Sequence, residues 1–274
     1  LIQDDGGTLM PDGSFHGFEA GGIFVKTEGV NPGEQVEIFY SLLKPETLLE
    51  NVYVDEEGDF DFYNFERTSN GRAVVRRRDF LHASPHVGVE KVDNIILITR
   101  GPIFPAISKL SVEQAAFLMI VGQAMESSAG DPTQAGKIRS EFFYDPFVAG
   151  NRVTHANIFY EIVKGLSNVN FYLMNTGWIG EGEHIIKDIS VANSLAILDS
   201  LFRGGLEDWI DSPLGFKVPK AIRAVDDVFV HPEKLFSRAE FEEKVAELNR
   251  LRFQSIEKIG VGLHPDILKA FRRD

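Results

Sequence analysis

The order of patterns along these 274 residues predicts an α/β fold built on a mixed sheet. Three observations carry that prediction. Short β-type runs cut by Gly and Asp fill roughly the first hundred residues. A capping-box pair, Ser111 and Gln114, then opens a helical period. Beyond it, helical and strand patterns alternate to the end of the chain.

Taken in order, "GGIFVKTEG" and "LLENVYVDEEGDFDF" combine β-branched and aromatic residues with bounding Gly and Asp, which suits short strands joined by tight turns. "VDNIILITR" is a continuous apolar run, and the pattern predicts a strand buried on both faces. After Pro105 the capping box predicts a helix through "AAFLMIVGQAM", with Phe117, Leu118 and Val121 as its core stripe. A loop rich in Gly, Pro and Ser is expected over 127–152. "THANIFYEIVKGL" then reads as a helix and "VNFYLMNTGW" as a strand. "ISVANSLAILDSLF" reads as a helix stopped by Gly204-Gly205. A second capping box, Ser237 with Glu240, opens a helix carrying Phe241, Val245, Leu248 and Ile259 and ending at Gly260. No repeat, low-complexity tract or linker interrupts the chain, so residues 1–274 are expected to form one domain.

Bulk properties narrow the function. With 43% hydrophobic and 25% charged residues the chain is an ordinary globular protein. A net charge of -13 excludes nonspecific nucleic-acid binding, which needs clustered cations, but allows a local basic pocket for a small anion. The absence of cysteine excludes disulfides and thiolate chemistry and fits a reducing cytoplasm. The longest apolar stretch, 115–122, is far shorter than the ~20 residues that cross a bilayer. The chain lacks an initiator Met, and Leu1-Ile2 reads as the end of an apolar strand, so an upstream part of the same polypeptide is expected.

Four stretches could carry chemistry. "LIQDDGG" puts Asp4 and Asp5 after an apolar pair, either as oxygen ligands for a divalent metal at a strand end or as an Asp-Gly turn. "TSNGRAVVRRRDF" offers Arg72 after a turn that could aim it inward. The following Arg76, Arg77 and Arg78 read as a solvated face. "NTGWIGEGEHIIKD" is a polar loop directly after a strand, a usual position for ligand contacts; its plain alternative is a connection in which Asn175 and Thr176 bond local backbone. His82 and His86 are four apart, but the intervening Pro85 denies them a shared helical face, so a metal pair is not expected.

Several of these stretches occur together and in one order, and on them the chain resembles the C-terminal, nucleotide-binding part of ATP-dependent phosphoenolpyruvate carboxykinases. The family's "GxFxFEGGxYAKT"-like stretch is matched by "GSFHGFEAGGIFVKT", and "LLENV" stands at 48–52. A Thr-x-Asn-x-Arg turn runs from Thr68 to Arg72. "ILITRGPIFPAISKLSVEQ" matches a further segment, and "YLxNTGW" stands as Tyr172 to Trp178. The resemblance covers nearly the whole chain. It implies a mixed-sheet, P-loop-type nucleotide-binding α/β domain that uses ATP with Mg²⁺ or Mn²⁺. Asp5 would be a metal ligand with Asp4 beside it, and Arg72 would contact the transferred phosphoryl group. Glu34, with Glu37 as its alternative in the alignment, would contact the nucleotide. His184, Ile185 and Ser194 would line the adenosine pocket. The implied reaction converts oxaloacetate and ATP to phosphoenolpyruvate, ADP and CO₂, with a small dicarboxylate as partner and neither nucleic acid nor membrane involved.

The chain departs from the family at three places. Gly-Gly-Thr-Leu follows the Asp pair, where the family has an acidic residue, His, Gly and Trp. Glu181, Glu183 and His184 follow the Thr-Gly-Trp stretch, where the family turns basic. "DPTQAGKIRSEFFYDPFVAGN" at 131–151 replaces the family's Thr-rich lid. Three readings follow: the carboxykinase reaction, a kinase of the same fold with another acceptor, and a non-catalytic nucleotide-binding relative.

Overall fold

The computed structural model describes residues 1–3, 6–19, 21–67, 69–125, 138–141, 150–181 and 186–271, with backbone alone at 123–125 and 138–141. The chain packs as two compact units, Leu1–Val92 and Asp93–Asp274.

In the first unit three antiparallel strands, Ile23–Lys26, Arg72–Val75 and Leu48–Glu50, form a sheet with Arg72–Val75 in the middle. Side chains alternate between faces with period two. Ile23, Val25, Ala73 and Val75 enter a core with Val30, Leu42, Phe62 and Phe80, while Phe24 and Leu48 on the opposite face are exposed. The helix Val36–Leu42 contributes Leu42, and Ile38 and Phe39 pack alongside. Full burial of each Val, Leu, Ile or Phe stabilises by about 1.5–3 kcal/mol, enough for so small a sheet to hold one register. The stretch read as strands and turns divides into Leu48–Glu50 and a hairpin, Tyr53–Val54 with Phe60–Asp61. The Asp55 carboxylate closes that hairpin by accepting from the Asp59 N–H at 2.8 Å, and Gly58 takes the left-handed backbone (φ 89°) that the turn needs. A second sheet joins Gly7–Leu9, Phe15–Gly17 and Gly88–Val89, with Phe15–Gly17 central.

The second unit is built on a mixed sheet that, among the described residues, has the order Trp209–Asp211, Lys217–Pro219, Ile107–Leu110, Asn170–Asn175, Asn94–Thr99. Only Asn170–Asn175 and Asn94–Thr99 run parallel; the other neighbours are antiparallel. The expectation that "VDNIILITR" is covered on both faces is corrected. Asn94–Thr99 ends the sheet order, with Leu97 buried but Ile98 56% exposed. An unbroken apolar run does not reveal which face a neighbour covers.

Helices start where the caps indicate. Ser111 accepts from the Gln114 N–H at 3.2 Å and the Gln114 side chain accepts from the Ser111 N–H at 3.0 Å, opening Val112–Val121. Ser237 and Glu240 do the same for Arg238–Ile259, which Gly260 terminates at φ 124°. The first of these helices stops earlier than its pattern suggests. Gly122 is extended, and Gly122–Met125 pairs antiparallel with Ile138–Glu141, inside the stretch expected to be a loop. The rest of that loop, apart from Gly150, Asn151 and the helical Arg152, lies outside the described residues. Asn151 caps Arg152–Gly165 by accepting from the Val153 N–H at 2.8 Å. Val191–Phe202 begins at the Ser190 cap, and the Gly205 N–H bonds the Ser200 carbonyl just past its end.

One core residue escaped the pattern altogether. Arg252 is 1% exposed, and its guanidinium lies over the rings of Phe271, Phe216 and Phe104 at 4.8, 5.6 and 5.8 Å. Its guanidinium donates to the Asn249 side chain at 3.3 Å, and burial pushes its pKa down to about 9. It therefore stays protonated at neutral pH.

Candidate functional site

The polar loop after Asn170–Asn175 is organised by Asn175 itself, which is fully buried. Its amide nitrogen donates to the carbonyls of Phe104 (2.8 Å), Gly101 (2.9 Å) and Trp178 (3.0 Å), and its carbonyl accepts from the Gly177 N–H at 3.0 Å. Asn175 therefore ties together two loops that leave neighbouring parallel strands. A Cβ on Gly177 would press on Arg100 at 3.0 Å, so glycine lets the loop lie against that residue. The local bonding that the plain reading expected of Asn175 is present at Gly177 and Trp178, but Asn175 also reaches the distant Gly101 and Phe104, and the Thr176 N–H bonds the Thr99 carbonyl at 3.1 Å.

Farther along the loop, Glu181 forms an ion pair with Lys244 of the long helix. One of the two carboxylates that set this stretch apart from the family is thus matched by a cation. Lys187 pairs with Asp226 at 2.8 Å and holds that carboxyl below its usual range. His184 and Ile185 lie outside the described residues. Ser194 sits half-buried in the first turn of Val191–Phe202, its N–H bonded to the Ser190 carbonyl at 3.0 Å.

In the first unit Arg72 occupies the central strand, on the face away from the core, with Lys26 and Glu50 as its register partners on either side. Its guanidinium donates to the Gly71 carbonyl at 2.9 Å. Lys26 was not singled out from the sequence. The available signal was the alternation in "IFVK", which puts it on one face with Phe24 and leaves only the pairing partner unknown. Lys26 also bridges Glu28 at 2.8 Å. Adjacent Lys and Arg on one open face suit an anionic group, with the planar guanidinium able to bind two oxygens at once.

Glu34 and Glu37 separate clearly. Both oxygens of Glu37 are used by His82, one accepting from its N–H at 2.8 Å and one facing Nδ1 at 2.7 Å. Those bonds hold the Glu37 carboxyl below its ordinary value of 4.5. Glu34 is exposed in the turn before Val36–Leu42, with only its backbone N–H engaged, by Asn31 at 3.0 Å. Among the described residues no hydrogen bond or ion pair joins Glu34 to Arg72. His82 thus serves Glu37, whereas His86 lines a separate cleft with Asp12, Ser14, His16 and Glu90.

The run Arg76–Arg78 is not the uniform solvated face expected of it. Arg76 pairs with Asp79 (2.7 Å) and with Glu46, and Arg78 is exposed near Glu46. Arg77 turns to backbone carbonyls of three separate segments. Asp4 and Asp5 lie outside the described residues. Among the described residues no three His, Asp or Glu side chains gather as a metal site, and no helix is long and apolar enough to cross a membrane.

Helices and a mixed sheet, with a bonded polar loop at a strand end, make this a mixed α/β protein. The family model for phosphoenolpyruvate carboxykinase matches residues 1–228, and the chain belongs to that family. It is 27% identical over 96% of its length to the phosphoenolpyruvate carboxykinase (ATP) of Campylobacter jejuni subsp. jejuni serotype O:23/36. Identity to the protein of the same name from Wigglesworthia glossinidia brevipalpis is 30% over 92% of the chain, and to that from Chelativorans sp. 27% over 98%. The chain spans 52, 47 and 51% of those three relatives, about half the length of each.

Proposed function

We propose that this chain is the nucleotide- and metal-binding part of an ATP-dependent phosphoenolpyruvate carboxykinase, with the P-loop-type C-terminal fold of that family. The observation that carries the reading is the Lys26–Arg72 pair on the open face of the first unit's sheet, in a chain matched by the family over residues 1–228. In the proposed reaction oxaloacetate loses CO₂, the resulting enolate oxygen attacks the γ-phosphorus of ATP, and ADP leaves. Arg72 and Lys26 meet the equatorial phosphoryl oxygens as charge shifts among them. Glu34 faces the nucleotide in preference to Glu37, whose oxygens are already bonded by His82. Ser194, His184 and Ile185 line the adenosine pocket.

Adjacent carboxylates at Asp4 and Asp5 are hard oxygen donors, the chemistry that Mg²⁺ and Mn²⁺ take. Such an ion, when bound, neutralises phosphate charge. The Glu181–Lys244 pair lessens the repulsion that favoured a non-catalytic relative. The test supplies the full-length protein with Mn²⁺ or Mg²⁺, ATP and oxaloacetate and measures phosphoenolpyruvate. Product is expected, and R72M should lower kcat/KM by about 10²–10³-fold, the usual loss for a donor that meets developing charge. No phosphoenolpyruvate formed would overturn the carboxykinase reading. The substituted stretch at 131–151 motivates a second reading, a different phosphoryl acceptor, which a screen of small acids for ATP consumption tests.

A further inference from the structure

One turn bears on both cations of the first unit's open sheet face. The strand Ile23–Lys26 runs into a turn at 27–30, closed by the Val30 N–H on the Thr27 carbonyl at 3.2 Å. Gly29 takes φ 70° there, the left-handed backbone that the third position of such a turn needs. Bonds to distant segments fix the turn on both sides of Glu28. The Thr27 N–H donates to the Gly71 carbonyl at 3.1 Å, and the Gly29 N–H donates to the Phe62 carbonyl at 2.9 Å. The Tyr63 hydroxyl donates to the Gly29 carbonyl at 3.0 Å. A Cβ on Gly71 would collide with the Thr27 hydroxyl, so glycine there lets the turn lie close. The Gly71 carbonyl that bonds Thr27 also accepts from the Arg72 guanidinium, at 2.9 Å.

Glu28, at the second position of the turn, brings its carboxylate back onto Lys26, with Oε2 2.8 Å from the ammonium. The carboxylate is the enclosed partner. Its side chain is 19% exposed against 52% for Lys26, and its Oε1 is buried and accepts no hydrogen bond among the described residues. The carboxylate therefore sets where the ammonium rests. An ion pair open to water on one side adds little to stability. Its effect is on order, because a flexible lysine stem gives up rotamer freedom to the pair before any phosphate arrives.

We propose that Glu28 is a positioning residue for Lys26, presenting its ammonium together with the Arg72 guanidinium to one phosphoryl group. The proposal rests on the reading of Lys26 and Arg72 as phosphoryl contacts. Two effects of the carboxylate oppose each other. As a negative charge near a polyphosphate it weakens ground-state binding. As a positioner it speeds the chemical step, because the ammonium already stands where charge develops.

The test measures phosphoenolpyruvate formation by the full-length protein and by E28Q, K26M and the double variant K26M/E28Q, with Mn²⁺, ATP and oxaloacetate. Circular dichroism checks the fold of each. E28Q is expected to lower kcat about tenfold or more, with no rise in the KM for ATP. K26M/E28Q is expected to be no slower than K26M, since Glu28 acts through Lys26. E28A carries the same comparison should E28Q not fold. A kcat for E28Q equal to the parent's overturns the proposal, and so do losses that multiply in the double variant. If K26M turns over like the parent, or the parent forms no phosphoenolpyruvate, the reading of Lys26 fails and the proposal with it.

Discussion

Asn175 and Arg252 are both buried polar residues, and opposite bookkeeping applies to them. Asn175 has its oxygen and nitrogen engaged by four backbone groups, so truncation strands those groups away from water. N175A should destabilise the protein by about 3 kcal/mol, read as a lowered denaturant midpoint. Arg252 gives up its hydration for ring faces and, among the described residues, a 3.3 Å hydrogen bond to Asn249, and its Nε is buried without a hydrogen-bond partner there. Replacing a buried charge by an apolar side chain of similar volume is often neutral or stabilising by about 1–4 kcal/mol. R252M is therefore expected to melt at or above the parent's temperature at pH 7, and a large drop would show that the rings compensate the charge fully. At this scale the sequence was legible where chemistry is local. It placed Asn175 among backbone partners but took Arg77 for surface, because what a long side chain reaches depends on segments distant in the chain.

Among the elements, the helix starts were the most readable, because a capping box closes within four residues. S111A and S237A should each cost about 1 kcal/mol of unfolding free energy, and S237T should restore most of the second loss. Glycine stops were equally local: Gly204 takes φ 72° and Gly260 φ 124°. Strand environment was not readable. The same β-branched run serves a sheet centre or an edge, and one that is covered or open on a given face; Ile98 is exposed on a strand that ends the described sheet. The stretch Gly122–Met125 continued a helical pattern yet pairs as a strand, a case in which partner availability outweighs propensity.

For the whole molecule, several carboxylates share one pH response. His82 holds Glu37 below 4.5, while Ser14, Arg76, Lys187 and Tyr160 hold Asp12, Asp79, Asp226 and Asp266 below 3.8. A folded pKa below the unfolded one means that the unfolded chain binds more protons as pH falls through that range. The stability these groups lend is complete above about pH 4.5 and is lost below it. Acid melts should fall from that pH downward, and E37Q should remove the first part of the fall. A melt flat to pH 3 in the parent would contradict it.

Period, caps, turn glycines and ordered motifs sufficed for the mixed α/β class, the family and the segments that hold Asp4-Asp5, Arg72 and the Asn-Thr-Gly-Trp loop, since each of these is written in neighbouring residues. Folding alone decided that Lys26 stands beside Arg72, that Glu37 is taken by His82 while Glu34 is left open, and that Arg77 turns to the carbonyls of three separate segments. Those facts rest on contacts between residues dozens of positions apart, and no local pattern encodes which distant backbone a side chain will meet.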